Sequence, residues 1–228
     1  NTLQEFVPSL SREGDQTAVL ALERDSARTW SRGELRDDAV RLANGLNSLG
    51  VAPGDHVPIV APPSPEWIVA ALAILRAGAT VVPADAQLGE ETLRHVLSDS
   101  NAKLIFTTRD RRERLENLGL EGNPRLMIFD TDAEDDLSWR SLSSEETAVC
   151  PEVAADDPAV LFYTSGTTGL PKGVPLSHRN LLFQLQTLKK ADLVQADDRV
   201  LLPLPLHHVY PFVVGMLTPL SLCLPIVL

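Results

Sequence analysis

The residues best suited to chemistry form one short run, Thr164-Ser165-Gly166-Thr167-Thr168-Gly169-Leu170-Pro171-Lys172-Gly173. Four hydroxyls, three glycines and one lysine stand within ten positions. Glycines let the backbone turn tightly and expose its N–H groups, hydroxyls add donors, and the lysine brings positive charge. Such a nest suits the oxygens of a polyphosphate. The bland alternative is a Gly/Ser/Thr linker with no ligand; the abrupt change from the apolar run Val160–Tyr163 and the presence of a lysine favour phosphate. The run is not a Walker A loop, which counted from Gly166 needs Gly where Pro171 stands and Ser or Thr where Gly173 stands. Nor is it a nucleophile elbow, because Tyr163 occupies the place of the glycine two before Ser165. A G-x-G-x-x-G dinucleotide fingerprint is absent as well. A second candidate is the adjacent pair His207-His208 in an apolar stretch. Neighbouring histidines lack the spacing of a zinc helix and no third ligand is evident, so metal ligation is set aside. Taken alone, a histidine in such a segment is more often a satisfied core residue.

These residues need a scaffold, and the first half of the chain alternates strand and helix patterns. Ala18–Leu22 and Ala27–Trp30 read as a hairpin, and Ser31-Arg32-Gly33-Glu34 as a capping box opening a helix closed by Gly50. Val57–Val60 reads as a strand, and Ser64-Pro65-Glu66 as the start of a helix over Trp67–Ala77 that is apolar nearly all round and belongs between layers. Ala79–Val82, Lys103–Thr107 and Leu126–Phe129 read as strands, with helices over Glu90–Ser98 and Asp110–Leu118. This alternation implies an α/β fold of largely parallel sheets with helices on both faces. Asp130–Asp136 and Ser143–Asp157 are acidic or mixed loops that suit connectors, better read as solvated than as cation sites. The expected division is residues 1–155 as a first α/β subdomain and 156–228 as the start of a second segment carrying the loop. Val200–Leu228 has no Asp, Glu, Lys or Arg, but Pro203, Pro205, Pro211, Pro219 and Pro225 interrupt it. A strand, a short helix and a second strand explain it better than a membrane span.

Composition narrows the classes. The 228 residues carry 31 acidic and 20 basic side chains, a formal net charge of -11, so a nucleic-acid partner is disfavoured. Cys150 and Cys223 form no C-x-x-C pair, which suits a reducing, cytoplasmic setting. The N-terminus lacks the apolar core of a signal peptide. Peripheral contact with a membrane stays open.

The stretch Tyr163-Thr164-Ser165-Gly166-Thr167-Thr168-Gly169-Leu170-Pro171-Lys172-Gly173-Val174 resembles, nearly letter for letter, the AMP-binding signature of the adenylate-forming enzymes, which include acyl-CoA synthetases, luciferases and peptide-synthetase adenylation domains. Agreement extends to Thr29-Trp30, Gly50-Val51, Gly54-Asp55, Gly78-Ala79 with Pro83, and Ser177-His178-Arg179-Asn180. It runs from about Thr17 to Leu222. Leu204-Pro205-Leu206-His207-His208-Val209-Tyr210-Pro211 resembles the family's next motif, a lining of the carboxylate pocket, with His208 in the place of the family histidine and His207 in that of the usual aromatic.

The resemblance implies that a carboxylate attacks the α-phosphorus of ATP, delivered with Mg2+, and that a thiol, usually coenzyme A, then displaces AMP. It implies that Thr164, Ser165, Thr167 and Thr168 donate to the β- and γ-phosphates while Gly166 and Gly169 allow close approach. Lys172 would be a mobile counter-charge and His208 would orient the carboxylate, with Tyr210 nearby. The wording from His207 to Phe212 resembles the fatty-acid branch, and an apolar tunnel near Phe212, Val213 and Met216 fits it, core packing being the alternative. A fatty acyl-CoA synthetase is the leading expectation. The rivals are another adenylating enzyme (carrier-protein, aryl or amino-acid activating) and a non-catalytic nucleotide- or acyl-binding module. The family's adenine-contacting motif, ribose-binding acidic residue, hinge and C-terminal domain with its lysine have no counterpart here. The chain is therefore expected to be an N-terminal fragment, inactive without the missing C-terminal portion.

Overall fold

Each helix of the scaffold begins where the sequence satisfies its orphan N–H groups. A computed structural model of the chain describes residues 2–131, 137–144, 150–164 and 169–228. After a short helix α1 (Phe6–Ser9), strands β1 (Thr17–Leu22) and β2 (Ala27–Ser31) form an antiparallel hairpin. Helix α2 (Arg32–Ser48) follows at once, its Ser31 Oγ accepting from Glu34 N–H at 3.2 Å while Ser31 N–H donates to Glu34 Oε2 at 2.8 Å. Strand β3 (His56–Val60) leads to α3 (Pro65–Ala77), capped by Ser64 Oγ and ended by Gly78 at φ 84°. Apart from Arg76, every residue of α3 is buried, as an all-round apolar helix between layers must be. Strand β4 (Thr80–Pro83), α4 (Glu90–Asp99), β5 (Leu104–Thr107), α5 (Arg109–Glu116) and β6 (Arg125–Ile128) complete the alternation. Residues 132–136 and 145–149, within the two acidic connectors, lie outside the described residues.

Strands β7 (Pro158–Thr164) and β8 (Lys172–Ser177) are an antiparallel pair, followed by α6 (His178–Lys190). The uncharged stretch is a strand, a helix and a strand: β9 (Val200–Leu201), a π-helical turn Pro211–Leu217 running into α7 (Thr218–Ser221), and β10 (Ile226–Val227). A six-stranded sheet has the order β6-β5-β3-β4-β7-β8 and is parallel except for β8. A second, four-stranded sheet has the order β2-β1-β10-β9.

Successive residues of the parallel strands feed opposite cores. Leu104, Phe106 and Met127 join one cluster with α2 and α3, whereas Ile105, Leu126 and Ile128 join another with Leu93, Val96 and Leu97 of α4 and Leu115 of α5. Both faces are therefore covered by helices, the arrangement expected of a largely parallel α/β sheet. Both sheets are built across the 155/156 point where the sequence suggests a division, since β7 pairs with β4 and β10 pairs with β1. Residues 156–228 thus make no sheet of their own. Phe212 and Met216 are fully buried, with Phe212 edge-on to Trp67 at 6.0 Å and to Phe162 at 5.5 Å, so these two are core and only Val213 reaches an open groove.

Candidate functional site

The chain leaves β3 toward β4 on one side, and β5 returns to β3 on the other. Such a reversal opens a crevice beyond the carboxyl ends of the strands, the usual ligand position in open α/β sheets. There β4 ends at Pro83 and runs on into Ala84-Asp85, and β7 ends in Tyr163-Thr164. The hairpin pairs Tyr163 with Gly173 and Thr164 with Lys172, so the chemically rich loop hangs from these two stems.

Of the expected phosphate-binding residues, Ser165, Gly166, Thr167 and Thr168 lie outside the described residues. Thr164 and Lys172 are exposed at the base of the loop, and neither side chain has a hydrogen-bond or ion-pair partner among the described residues. Gly169 needs no special φ, and a Cβ there would meet nothing within 4 Å among the described residues, so no contact with them demands a glycine.

A cavity of about 180 Å3 lies against the stems. Tyr163 and Pro171 line it from the loop, Asp85 from the end of β4, Val96 from α4, and His207 with His208 from the segment after β9. His208 is thus brought to the loop, while Thr164 and Lys172 stand one residue outside the cavity lining. His208 is exposed; His207 is half-buried, and their rings lie 4.2 Å apart at 55°. Burial holds the His207 pKa below the ordinary histidine value; the Asp85 carboxylate opposes this and the His208 ring adds to it. His207 Nε2 is 3.8 Å from Asp85 Oδ2, beyond a hydrogen bond, and Asp85 Oδ1 accepts from Gln87 N–H at 2.8 Å.

Three residues at the site, Asp99, His95 and Asp85, carry no motif in the sequence. Tyr163 Oη donates to Asp99 Oδ2 at 2.7 Å; burial first and the carboxylate second push the phenol pKa up, so it remains a donor. His95 Nε2 is 2.9 Å from the Pro171 carbonyl oxygen, which can only accept, so that nitrogen carries the proton. Asp85 is the third. Their only trace in the sequence is local: Asp85 follows a strand end, and His95 and Asp99 share a helix face at i, i+4.

A larger, apolar groove of about 770 Å3 runs between α6 and the π-helical turn, with Leu181, Phe183, Leu188, Tyr210 and Val213 among its walls. Phe183 and Tyr210 are 65% and 64% exposed. Among the described residues no group of three or more His, Cys, Asp or Glu could hold a metal ion, and no helix is long and apolar enough to cross a membrane.

The sequence profile of the AMP-binding enzyme family matches residues 6–228. A feruloyl-CoA synthase of Amycolatopsis sp is 37% identical over 186 residues, covering 81% of this chain and 36% of its own. A Rhodopseudomonas palustris protein provisionally assigned as a long-chain-fatty-acid CoA ligase superposes with a TM-score of 0.88 at 26% identity, over 100% of this chain and 57% of its own. The ATP-bound MatB of the same species gives 0.86 at 25% identity, over 100% of this chain and 44% of its own. The chain spans about two fifths of the length of the curated relatives it matches.

Proposed function

Because the chain belongs to the AMP-binding enzyme family, we propose that its loop and His208 serve the adenylation of a carboxylic acid as part of an ATP-dependent acid–thiol ligase. The observation that carries this reading is the cavity joining both loop stems to His207 and His208 at the carboxyl edge of the parallel strands. A carboxylate oxygen attacks the α-phosphorus of ATP, the bond to the β-phosphate oxygen breaks, and pyrophosphate leaves. The thiol of coenzyme A then attacks the acyl carbon, forming a thioester and releasing AMP. No side-chain nucleophile is required; the protein positions reactants and offsets charge on the departing pyrophosphate.

In this reading the hydroxyls of Thr164, Ser165, Thr167 and Thr168 donate to the β- and γ-phosphates. The space at Gly169, free of contacts among the described residues, is where phosphate oxygens approach the backbone, as at Gly166. Lys172, without a partner among the described residues, is a counter-charge to pyrophosphate, and the exposed His208 orients the substrate carboxylate. Mg2+ would accompany the nucleotide; the described residues offer no cage for it, and no step is derived through it. The apolar groove beside Tyr210 and Val213 supports an acid with an apolar body. A fatty acid is the first choice from the His207–Phe212 wording; an aryl acid is the second, favoured by the likeness to a feruloyl-CoA synthase. A cytoplasmic setting fits the two free cysteines.

The test is acid-dependent ATP–pyrophosphate exchange by the full-length natural protein over a panel of fatty and aryl acids, followed by thioester formation with coenzyme A or a carrier protein. Thr168→Ala and Lys172→Ala should each lower kcat/KM about 10- to 100-fold, as expected for lost donors to a developing anion. Unchanged kinetics in both variants would sink the loop assignment, and robust exchange by the 228 residues alone would show that they suffice without a further domain.

A further inference from the structure

One helix holds both stems of the loop. His95 and Asp99 of α4 stand four residues apart, hence on one face. His95 Nε2 donates to Pro171 O at 2.9 Å, on the outgoing side, and Asp99 Oδ2 accepts from Tyr163 Oη at 2.7 Å, on the incoming side. The β7–β8 pairing would align the two stems with each other without either contact. What the two contacts add is a tie between the hairpin and the body of the sheet, because α4 is itself fixed there by buried Leu93, Val96 and Leu97. Gly173 faces Tyr163 across the ladder; a Cβ there would crowd Leu161 Cδ1 at 3.0 Å and meet the Tyr163 ring at an ordinary contact distance of 3.6 Å.

We propose that His95 and Asp99 are positioning residues that hold the two stems of the phosphate loop, at Pro171 and Tyr163, against α4 before ATP arrives. The inference rests on the reading of the loop as a polyphosphate cradle. A loop that must aim several donors at one anion binds more weakly in proportion to the fraction of time it is misplaced, so a brace acts on apparent affinity. Each tie is one hydrogen bond, which sets the scale at about 3- to 10-fold per contact.

The experiment measures ATP–pyrophosphate exchange in the full-length protein, with hydrogen exchange at the amides of residues 164–172. His95→Ala and Asp99→Ala should each raise the KM for ATP about 3- to 10-fold. They should leave kcat and the KM for the acid within about 2-fold, and speed exchange at the loop amides. His95→Gln, whose side-chain amide can still donate, should recover most of the loss. If His95→Ala fails to fold it is replaced by His95→Leu, and if Asp99→Ala fails it is replaced by Tyr163→Phe, which cuts the Asp99 tie from the loop side. Unchanged ATP KM and loop exchange in both positions, with Lys172→Ala still impaired, overturns the brace and leaves the cradle standing. Failure of His95→Gln to recover also overturns it. Normal kinetics in Lys172→Ala and Thr168→Ala overturns the cradle and the brace with it.

Discussion

Gly45 sits in the last turn of α2, where helix propensity alone would still favour alanine, by at most about 1 kcal/mol. A Cβ at this position would lie 1.5 Å from the Leu142 carbonyl oxygen, so the helix and the 3-10 turn Trp139–Leu142 touch backbone to backbone. Overlap with a main-chain atom cannot be relieved by a rotamer change and costs about 3 kcal/mol. The second effect wins. Gly45→Ala should lower stability by about 2 kcal/mol, read as a lower urea midpoint at unchanged slope. A stabilised variant would mean that the turn can retreat from α2. Gly215 is a milder case, because the atom in its way is Leu202 Cδ1 at 2.4 Å, the far end of a side chain that can turn aside.

Helix α6 shows how one element can tie distant parts of the chain together. Its first residue, His178, is fully buried; Nδ1 accepts from Leu3 N–H at 3.1 Å, and Nε2 has no partner among the described residues. Burial holds the His178 pKa below 6.5, against the opposing charge of Asp157, whose backbone oxygen accepts from His178 N–H at 3.2 Å. The unfolded state therefore takes up the proton first as pH falls, and stability rises with pH across this window. His178 contributes stability that is present above about 6.5 and lost as pH falls through its depressed folded value. Protonating Nδ1 also abolishes its role as acceptor for Leu3. His178→Asn should be less stable at pH 7.5 by about 1 kcal/mol, yet lose less than the unsubstituted protein on going to pH 5.5. Urea unfolding at the two pH values checks this; equal losses would remove His178 as a source of the pH dependence. Legibility divides along the same lines. Elements from β1 to β7 follow from caps and periodicity to within a residue or two, because each signal is local. Strand β8 and helix α6 were not read as elements from the sequence, although the family resemblance touches their first residues. Gly173 and Pro175 make β8 read as loop, and Pro175 is tolerated because β8 is an edge strand. The Ser177–Asn180 capping box and the spacing of Leu181, Leu185 and Leu188 could have revealed α6. Asp85, His95 and Asp99 could not be assigned to the site, since nothing local says which helix face the loop will meet.

At the scale of the whole molecule, the two sheets differ in how they are closed. The six-stranded sheet uses strands from His56 to Ser177, whereas the four-stranded sheet joins residues from the two ends of the chain. Leu22 N–H donates to Leu228 O at 2.9 Å and Leu228 N–H to Leu20 O at 2.9 Å. On the far side, Leu202 N–H donates to Val227 O at 2.9 Å. Removing residues 226–228 should therefore strip protection from the amides of Leu22 and Leu202 while leaving those of Ile105 and Phe106 slow, as hydrogen exchange can measure. Loss of protection throughout would mean that the sheets fold as one unit. No periodicity in the sequence announced this pairing, because it joins two short strands with the rest of the chain between them. It also sets an order in time. On the ribosome, the β1–β2 hairpin emerges before β10 and must wait, with one edge unpaired, until β10 is made; a lone two-stranded hairpin is marginal, and an open edge can pair with a neighbouring nascent chain. The six-stranded sheet can be complete by Ser177, so a hairpin made before that sheet finds its partner only after it.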